Sequence, residues 1–305
     1  MGWRVVVCRS VEAIKVRNGQ LALKVQEGQD ELYIPVEDID TVILENKPTN
    51  LTLHALQILA QANINLVISD ESNLPCATLT SFARHSRQLD MLKLQMSSKL
   101  PLTKSLWTKI CKQKIDNQKA LLLLHGHNKS AQQILGPLTR IKSGDPGNQE
   151  AVAARIYFRA LWPVSRRSEH LLNSLVNYGY ALFRSSLARH CAAHGLSPAV
   201  GIHHAASLNP FNLADDLLEP FRSIVDETAL AYYTSRNASE SLDASGKNEM
   251  LGLLNKDILL TGGSRKGERA SASIVFKLVV QSLVEALQKR DIKPLVLPVF
   301  ESIVE

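Results

Sequence analysis

The sequence predicts an α+β protein: a small N-terminal β-rich, β-sandwich-like domain followed by a larger all-α domain. Three observations carry that expectation. Residues up to about 70 are short β-branched runs broken by turn residues. From about residue 82 onward, apolar residues recur near the 3.6-residue helical period. The chain is also 305 residues long, 45% hydrophobic and 21% charged, enough for two globular domains and outside the disordered range. The boundaries fall at 1–80 for the first domain and 85–305 for the second.

Taken in order, Trp3–Cys8 is a β-branched strand, and Ala13–Arg17 and Leu21–Val25 flank Asn18-Gly19, the strongest short signal for a hairpin. Glu31–Pro35 and Ile39–Leu44 continue as strands. Leu53, Leu56, Leu59 and Ala60 place a helix within 51–62, and Ile64–Ile68 returns to strand. Helices then follow at Arg84–Met96, Ser105–Leu124, Glu150–Leu161, Leu171–His194, Leu213–Tyr233 and Ser273–Gln288, each with an apolar stripe. Gly136-Pro137, Ser143-Gly144-Asp145-Pro146-Gly147, Gly195 with Pro198, and Gly262-Gly263 punctuate them.

Charge is distributed unevenly. Nine lysines and arginines between Arg84 and Lys119 face only Asp90 and Asp116, a surplus of +7 that exceeds the +6 of the whole chain. Arg155 to Arg189 adds a surplus of +5, so the remainder is net acidic. Two basic stretches suit a polyanion such as DNA, although solvated helix faces have the same composition. The DNA-contact candidates are Lys109, Lys112, Lys114, Arg166 and Arg167, with Arg265 and Lys266 in the basic turn before the last helix. Cys8, Cys76, Cys111 and Cys191 form no paired motif, which predicts reduced thiols and a cytoplasmic protein. No apolar run is long enough to span a bilayer, so a soluble protein without a membrane partner is expected.

Three polar positions interrupt apolar patterns. Glu150 opens a helix whose face continues through Ala154, Tyr157 and Leu161. Taken alone, a first-turn glutamate complementing the helix dipole is the simpler explanation. In Gly201-Ile202-His203-His204 the two rings must point in different directions, so one can serve a site while the other serves structure. In Asn212-Leu213-Ala214-Asp215-Asp216-Leu217-Leu218-Glu219-Pro220, helical spacing stacks Asp215, Asp216 and Glu219 on one face, where like charges repel unless a cation intervenes. Arg222, three residues beyond Glu219, is the simple counter-ion, and Pro220 should kink the helix just beyond Glu219. Carboxylates with one neutral imidazole and no thiolate form a donor set suited to Mg²⁺ or Mn²⁺.

These motifs resemble one family. Glu150-Ala-Val-Ala-Ala-Arg155-Ile-Tyr157-Phe158, Asn177-Tyr178-Gly179-Tyr180-Ala181-Leu182, Gly201-Ile-His-His204 and Phe211 through Arg222 are similar, in the same order, to the CRISPR adaptation integrase, the Cas-one family. Met1-Gly2-Trp3-Arg4 and Trp107-Thr108-Lys109-Ile110 through Gln118 resemble its type II branch, found beside a single RNA-guided effector nuclease. The chain departs from the pattern at Ala205-Ala206 and Ser223, and in a slightly extended turn at 262–269.

The resemblance implies a metal-dependent integrase that joins prespacer 3′-hydroxyl ends to the CRISPR repeat by transesterification. It implies Glu150, His204 and Glu219 as catalytic metal ligands for Mg²⁺ or Mn²⁺, with Asp216, His203, Arg155 and Tyr178 in support. It also implies a homodimer that uses the N-terminal domain for dimerisation and partner contacts. Double-stranded DNA and a small Cas-two protein, in a heterohexamer, are the main partners; the effector nuclease and an accessory DNA-end-binding protein are further ones. Two other readings stand beside it: a metal-dependent endonuclease for branched DNA, which differs only in using water as nucleophile, and a non-catalytic DNA-binding scaffold, which has no need of the Glu150, His204 and Glu219 set.

Overall fold

The computed structural model describes residues 4–25, 30–45, 48–71, 75–79, 87–235 and 241–301. The chain divides into two compact units, Met1–Ser86 and Arg87–Glu305. Arg84 and the opening Met1-Gly2-Trp3 fall outside the described residues.

The first unit contains β1 (Arg4–Cys8), β2 (Ala13–Arg17), β3 (Gln20–Lys24), β4 (Leu32–Pro35), β5 (Ile39–Leu44), β6 (Asn50–Leu51), α1 (Leu53–Gln61), β7 (Asn65–Ser69) and β8 (Pro75–Leu79). They form two four-stranded sheets, ordered β1-β5-β7-β8 and β4-β3-β2-β6. The hairpin expected at Asn18-Gly19 is present: β2 and β3 pair antiparallel from Ala13↔Lys24 to Arg17↔Gln20. Asn18 and Gly19 both take positive φ, 49° and 72°, the conformation a two-residue turn matched to strand twist requires. In the other sheet β5, buried at every position, pairs in parallel with both β1 and β7. Central parallel strands covered on both faces read as unbroken apolar runs. Helix α1 starts at Thr52, whose hydroxyl accepts the Ala55 amide at 3.2 Å. One core, including Val6, Ile14, Leu21, Ile34, Val42, Leu59 and Leu66, draws on both sheets and α1.

The second unit contains α2 (Gln88–Met96), α3 (Leu100–Leu124), α4 (Asn128–Gln133), α5 (Leu135–Arg140), α6 (Gln149–Leu161), α7 (Leu171–Ala193), α8 (Asn212–Leu218), α9 (Arg222–Ser235), α10 (Ala244–Gly252), β9 (Asp257–Thr261), β10 (Arg269–Ser271), α11 (Ala272–Lys289) and β11 (Leu297–Val299). Helix α7 packs against α8, α9, α10 and α11, and Phe183, Phe221 and Phe276 meet beside it with ring centres 4.8–5.9 Å apart. The helical expectation holds with one correction: this part is not all-α. A three-stranded antiparallel sheet, ordered β10-β9-β11, is folded into it. Its strands are three to five residues long, too short for periodicity to separate from loop. Gly136-Pro137, read as a break, lies inside α5, where a proline in the first turn costs no hydrogen bond.

One buried side chain ties the long helix to the rest of this unit. Asn117 of α3 donates through Nδ2 to the carbonyls of Pro220 (2.6 Å) and Pro298 (3.1 Å). Its Oδ1 accepts the Phe300 amide at 3.0 Å and Gln113 Nε2 at 2.8 Å. Asn117→Ala strands buried backbone groups on two segments, and we expect it to lower the unfolding free energy by about 3 kcal/mol. Urea unfolding checks this; a loss under about 1 kcal/mol would mean that solvent reaches those groups.

Candidate active site

Each acidic residue in the site is placed by local backbone chemistry. The loop before α6 turns through Gly144, Asp145 and Asn148, all at positive φ, and so brings Asp145 beneath the helix. Its carboxylate accepts the amides of Gln149 (2.8 Å) and Glu150 (2.9 Å), capping the exposed donors of the first turn. Glu150 is thereby fixed in the first turn, where the helix dipole favours it, and faces α3. At the other acidic segment, α8 ends at Leu218, Glu219–Phe221 forms a 3₁₀ turn, and α9 begins at Arg222. The single kinked helix expected over 213–233 is instead interrupted around Pro220, which leaves Glu219 at the junction.

Glu150 and Glu219 meet on a single cation, the Nζ of Lys114. Arg222 adds a bidentate grip on Glu219, Nε to Oε2 and Nη2 to Oε1, both at 3.0 Å. Arg222 in turn lies over the Tyr180 ring, 4.5 Å from its centre. Glu219 is buried, and burial alone would raise its pKa. The charges of Arg222 and Lys114 outweigh that and hold it at about 2. Lys114 is pushed the opposite way: burial would neutralise it, but Glu219 and Glu150 keep it charged and raise its pKa.

The third candidate, His204, belongs to a neighbouring latch. Asp216 is fully buried in α8 and accepts the backbone amides of Ile202, His203 (2.9 Å) and His204 (3.2 Å), together with His204 Nδ1 at 2.6 Å. With Nδ1 bound to the carboxylate, Nε2 is the nitrogen left for a ligand, the arrangement in which a carboxylate orients a metal-binding histidine. The hydrogen bond from Asp216 raises the His204 pKa, and the charges of Glu219 and Asp215 add to it. Gly201 has to be glycine here: a Cβ would come within 2.2 Å of the His204 carbonyl and 2.8 Å of Asp216 Oδ2. His203 turns the other way and stacks flat on Trp107, with ring centres 4.2 Å apart. Trp107 also meets the edge of His204.

The structure thus brings Glu150 and Glu219 onto one cation and turns His204 toward Asp216. Among the described residues no three His, Cys, Asp or Glu side chains form a ready-made metal cage. The acidic residues expected to share one helical face are each partnered separately, Asp215 by Asn209 (2.7 Å) and Arg184 (3.7 Å). The two carboxylates that share the Lys114 cation are hard oxygen donors of the kind a divalent ion takes, and His204 would add an imidazole if it joined them.

Of the DNA-contact candidates, Lys112, Arg167 and Lys266 are exposed. Arg265 is exposed and paired with Glu268 at 2.9 Å. Two lysines need correction. Lys109 donates to the carbonyls of Ile292 (3.0 Å) and Leu295 (2.6 Å), so its ammonium is committed to the protein. Lys114 is buried between the two glutamates. Arg166 is half-buried over the rings of Phe158 and Trp162 and donates to Asn173 at 2.6 Å. Of the supporting candidates, Arg155 is exposed and Tyr178 is fully buried in α7. The inward placement of Lys114 was discernible: Trp107, Ile110, Cys111 and Leu121, its apolar neighbours at helical spacing, are all buried, so it lies on the inward stripe of α3.

Behind Arg222 lies a carboxyl the sequence did not single out. Asp226 is buried and accepts the hydroxyls of Tyr157 (2.7 Å) and Tyr180. Burial raises its pKa to about 6, with the tyrosine hydrogen bonds and Arg166 limiting the rise. Its folded pKa is above the unfolded value of 3.8, so its stabilisation is complete below about pH 4 and is lost as pH rises to about 6. Glu219 acts in the opposite sense and only in more acidic solution, its contribution vanishing as pH falls toward 2. Between pH 4 and 6 the protein is expected to lose on the order of 3 kcal/mol through Asp226, and Asp226→Asn should flatten that segment. Denaturant midpoints at pH 4.0, 5.0 and 6.0 (about these values) test it; an unchanged slope in the variant contradicts it.

Comparison with known proteins agrees with the fold and the motif order. The family described as CRISPR associated protein Cas1 matches residues 5–259. The chain is 33% identical to the CRISPR-associated endonuclease Cas1 of Neisseria meningitidis serogroup C, over 98% of this chain and 96% of the relative. In fold it is similar to a casposase bound to integration product, with a TM-score of 0.73 at 22% identity, over 95% of this chain and 92% of that one. It is also similar to part of a Cas6-RT-Cas1–Cas2 complex, with a TM-score of 0.74 at 18% identity, over 95% of this chain and 35% of that one. The family match and the near full-length relative lead to one conclusion: the chain belongs to the Cas1 family of CRISPR-associated proteins.

Proposed function

We propose that this protein is a divalent-metal-dependent DNA integrase of CRISPR adaptation that joins prespacer 3′-hydroxyl ends to the CRISPR repeat by transesterification. The observation that carries the reading is the pair Glu150 and Glu219 sharing one buried cation, with the Asp216-oriented His204 within electrostatic reach of Glu219. Glu150, Glu219 and Nε2 of His204 would hold Mg²⁺ or Mn²⁺, which when bound polarises a phosphoryl oxygen and neutralises charge on a leaving oxygen. In the exchange, an incoming 3′-oxygen forms a bond to phosphorus as the leaving oxygen's bond breaks. The proton of the incoming hydroxyl is transferred to the leaving oxygen or to solvent, so bond count and charge balance without ATP.

The relatives support this reading in their own terms. The N. meningitidis relative is called an endonuclease, and one structural neighbour is a casposase with integration product. The Cas1–Cas2 assembly among the neighbours supports a small Cas2 partner, and we extend this to a homodimer within a heterohexamer and to the DNA duplex. Hydrolysis by the same site, with water as nucleophile, is the second reading that the relatives' name favours. The first unit would carry dimerisation and partner contacts.

The test combines the protein and its Cas2 partner with a labelled duplex, a repeat-containing plasmid and Mn²⁺. Label should become covalently joined to the plasmid, and Glu150→Ala or Glu219→Ala should reduce joining by roughly 10³-fold or more, the scale on which removing an electrostatic catalytic group acts. Cleavage without any joined product would leave the hydrolytic reading standing.

DNA binding should weaken with salt, and Lys112→Ala or Arg155→Ala should each flatten the slope of log affinity against log salt by about 0.9 if that side chain meets a phosphate. Lys109→Ala should leave the slope unchanged, because its ammonium serves backbone carbonyls. Fluorescence titrations at several salt concentrations measure both, and a flattened slope in the Lys109 variant would restore that lysine to the DNA surface.

A further inference from the structure

Lys114 occupies the position a shared ion would need. Its ammonium lies between Glu150 and Glu219, the residue is only 6% exposed, and it is carried by the middle of α3, which the Asn117 side chain anchors nearby. The hydrogen-bonding capacity of Glu219 limits how many partners it can keep. Each carboxylate oxygen has about two lone-pair positions, and Oε2 of Glu219 fills both, one with Arg222 Nε and one with Lys114. Arg222 cannot readily leave: its contact is bidentate and its guanidinium is held against the Tyr180 ring. Lys114 makes a single contact to each carboxylate from a flexible four-carbon stem.

We propose that Lys114 is an internal cation that holds Glu150 and Glu219 together in the metal-free protein and is displaced when a divalent ion binds. This rests on the metal-site reading above and concerns what that site contains before the metal arrives. Two close carboxylates without a cation repel each other, so the ammonium stabilises the free protein. The same ammonium competes with the metal for Glu150 Oε1 and Glu219 Oε2. Metal affinity is therefore lower than the bare ligand set would give, and binding releases a buried lysine into the site.

Manganese binding, followed by the loss of the free-ion electron paramagnetic resonance signal, tests this without recourse to activity. Lys114→Met should bind Mn²⁺ roughly tenfold more tightly or better, the factor for one charge-assisted hydrogen bond no longer displaced. Its metal-free melting temperature should fall, and the rise on adding Mn²⁺ should exceed that of the unmodified protein. Lys114→Gln, which keeps a polar side chain of similar length, provides the same comparison if the methionine variant does not fold. In the unmodified protein, acylation of Lys114 by an amine-reactive ester should speed up when Mn²⁺ is added, read by mass spectrometry. Folded variants that bind Mn²⁺ no more tightly, or Lys114 labelling that stays constant or slows, overturn the proposal. Glu150→Gln and Glu219→Gln separate it from the reading beneath it. If these abolish Mn²⁺ binding while Lys114→Met does not tighten it, only the displacement idea fails. If they bind as the unmodified protein does, the metal-site reading fails and takes this one with it.

Discussion

A carboxylate removed from water stays ionised only when cations or hydrogen-bond donors compensate its burial, and Glu219 relies on cations. Burial works against its ionisation, and the combined charge of Arg222 and Lys114 reverses the outcome. Much of the helical unit can be read as the means of assembling those charges. Helix α3 has to run close enough to deliver Lys114, and its contacts with α6, with the turn at 219–221 and with β11 hold it there. Asn117, one helical turn beyond Lys114, clamps the carbonyl of Pro220 next to Glu219 itself. The break at Pro220 then lets Arg222 start a new helix and reach back to the glutamate three residues before it.

Four carboxylates lie within twelve residues, and the fold keeps them electrically distinct. Asp215 meets Asn209 and Arg184, Asp216 is surrounded by three amides and His204, Glu219 has two cations, and Asp226 has two tyrosine hydroxyls. The consequences diverge in a way charge counting does not anticipate. Glu219 is held strongly acidic, whereas Asp226, only seven residues later and equally buried, is pushed up to about 6 because hydroxyl dipoles compensate burial less well than full charges. Membership in the Cas1 family accounts for the presence of this segment. Its internal electrostatics give each acid a different environment.

The three cysteines in the cores show the same environment from its inert side. Burial pushes the thiols of Cys8 and Cys191 up to about 12 and raises that of Cys111 further, so none is primed as a nucleophile. Among the described residues no helix is long and apolar enough to cross a membrane.

The sequence by itself determined the β-rich then helical order, the Asn18-Gly19 hairpin, a helix irregularity at Pro220 and the opposite orientations of His203 and His204. All of these follow from local constraints: positive φ at a turn, a missing amide, a helical or strand period, the geometry of adjacent side chains. The short strands β9 to β11 escaped it, because three to five residues carry too little periodicity to register. It also misplaced two lysines. Lys109 and Lys114 contribute to a basic stretch along the chain, yet the first is held by carbonyls nearly two hundred residues away and the second by glutamates on α6 and at the α8–α9 junction. Which side of a helix a lysine occupies is local information; what waits for it there is decided by packing between segments distant in sequence. Only the tertiary structure could turn an expected phosphate contact into the cation at the centre of the site.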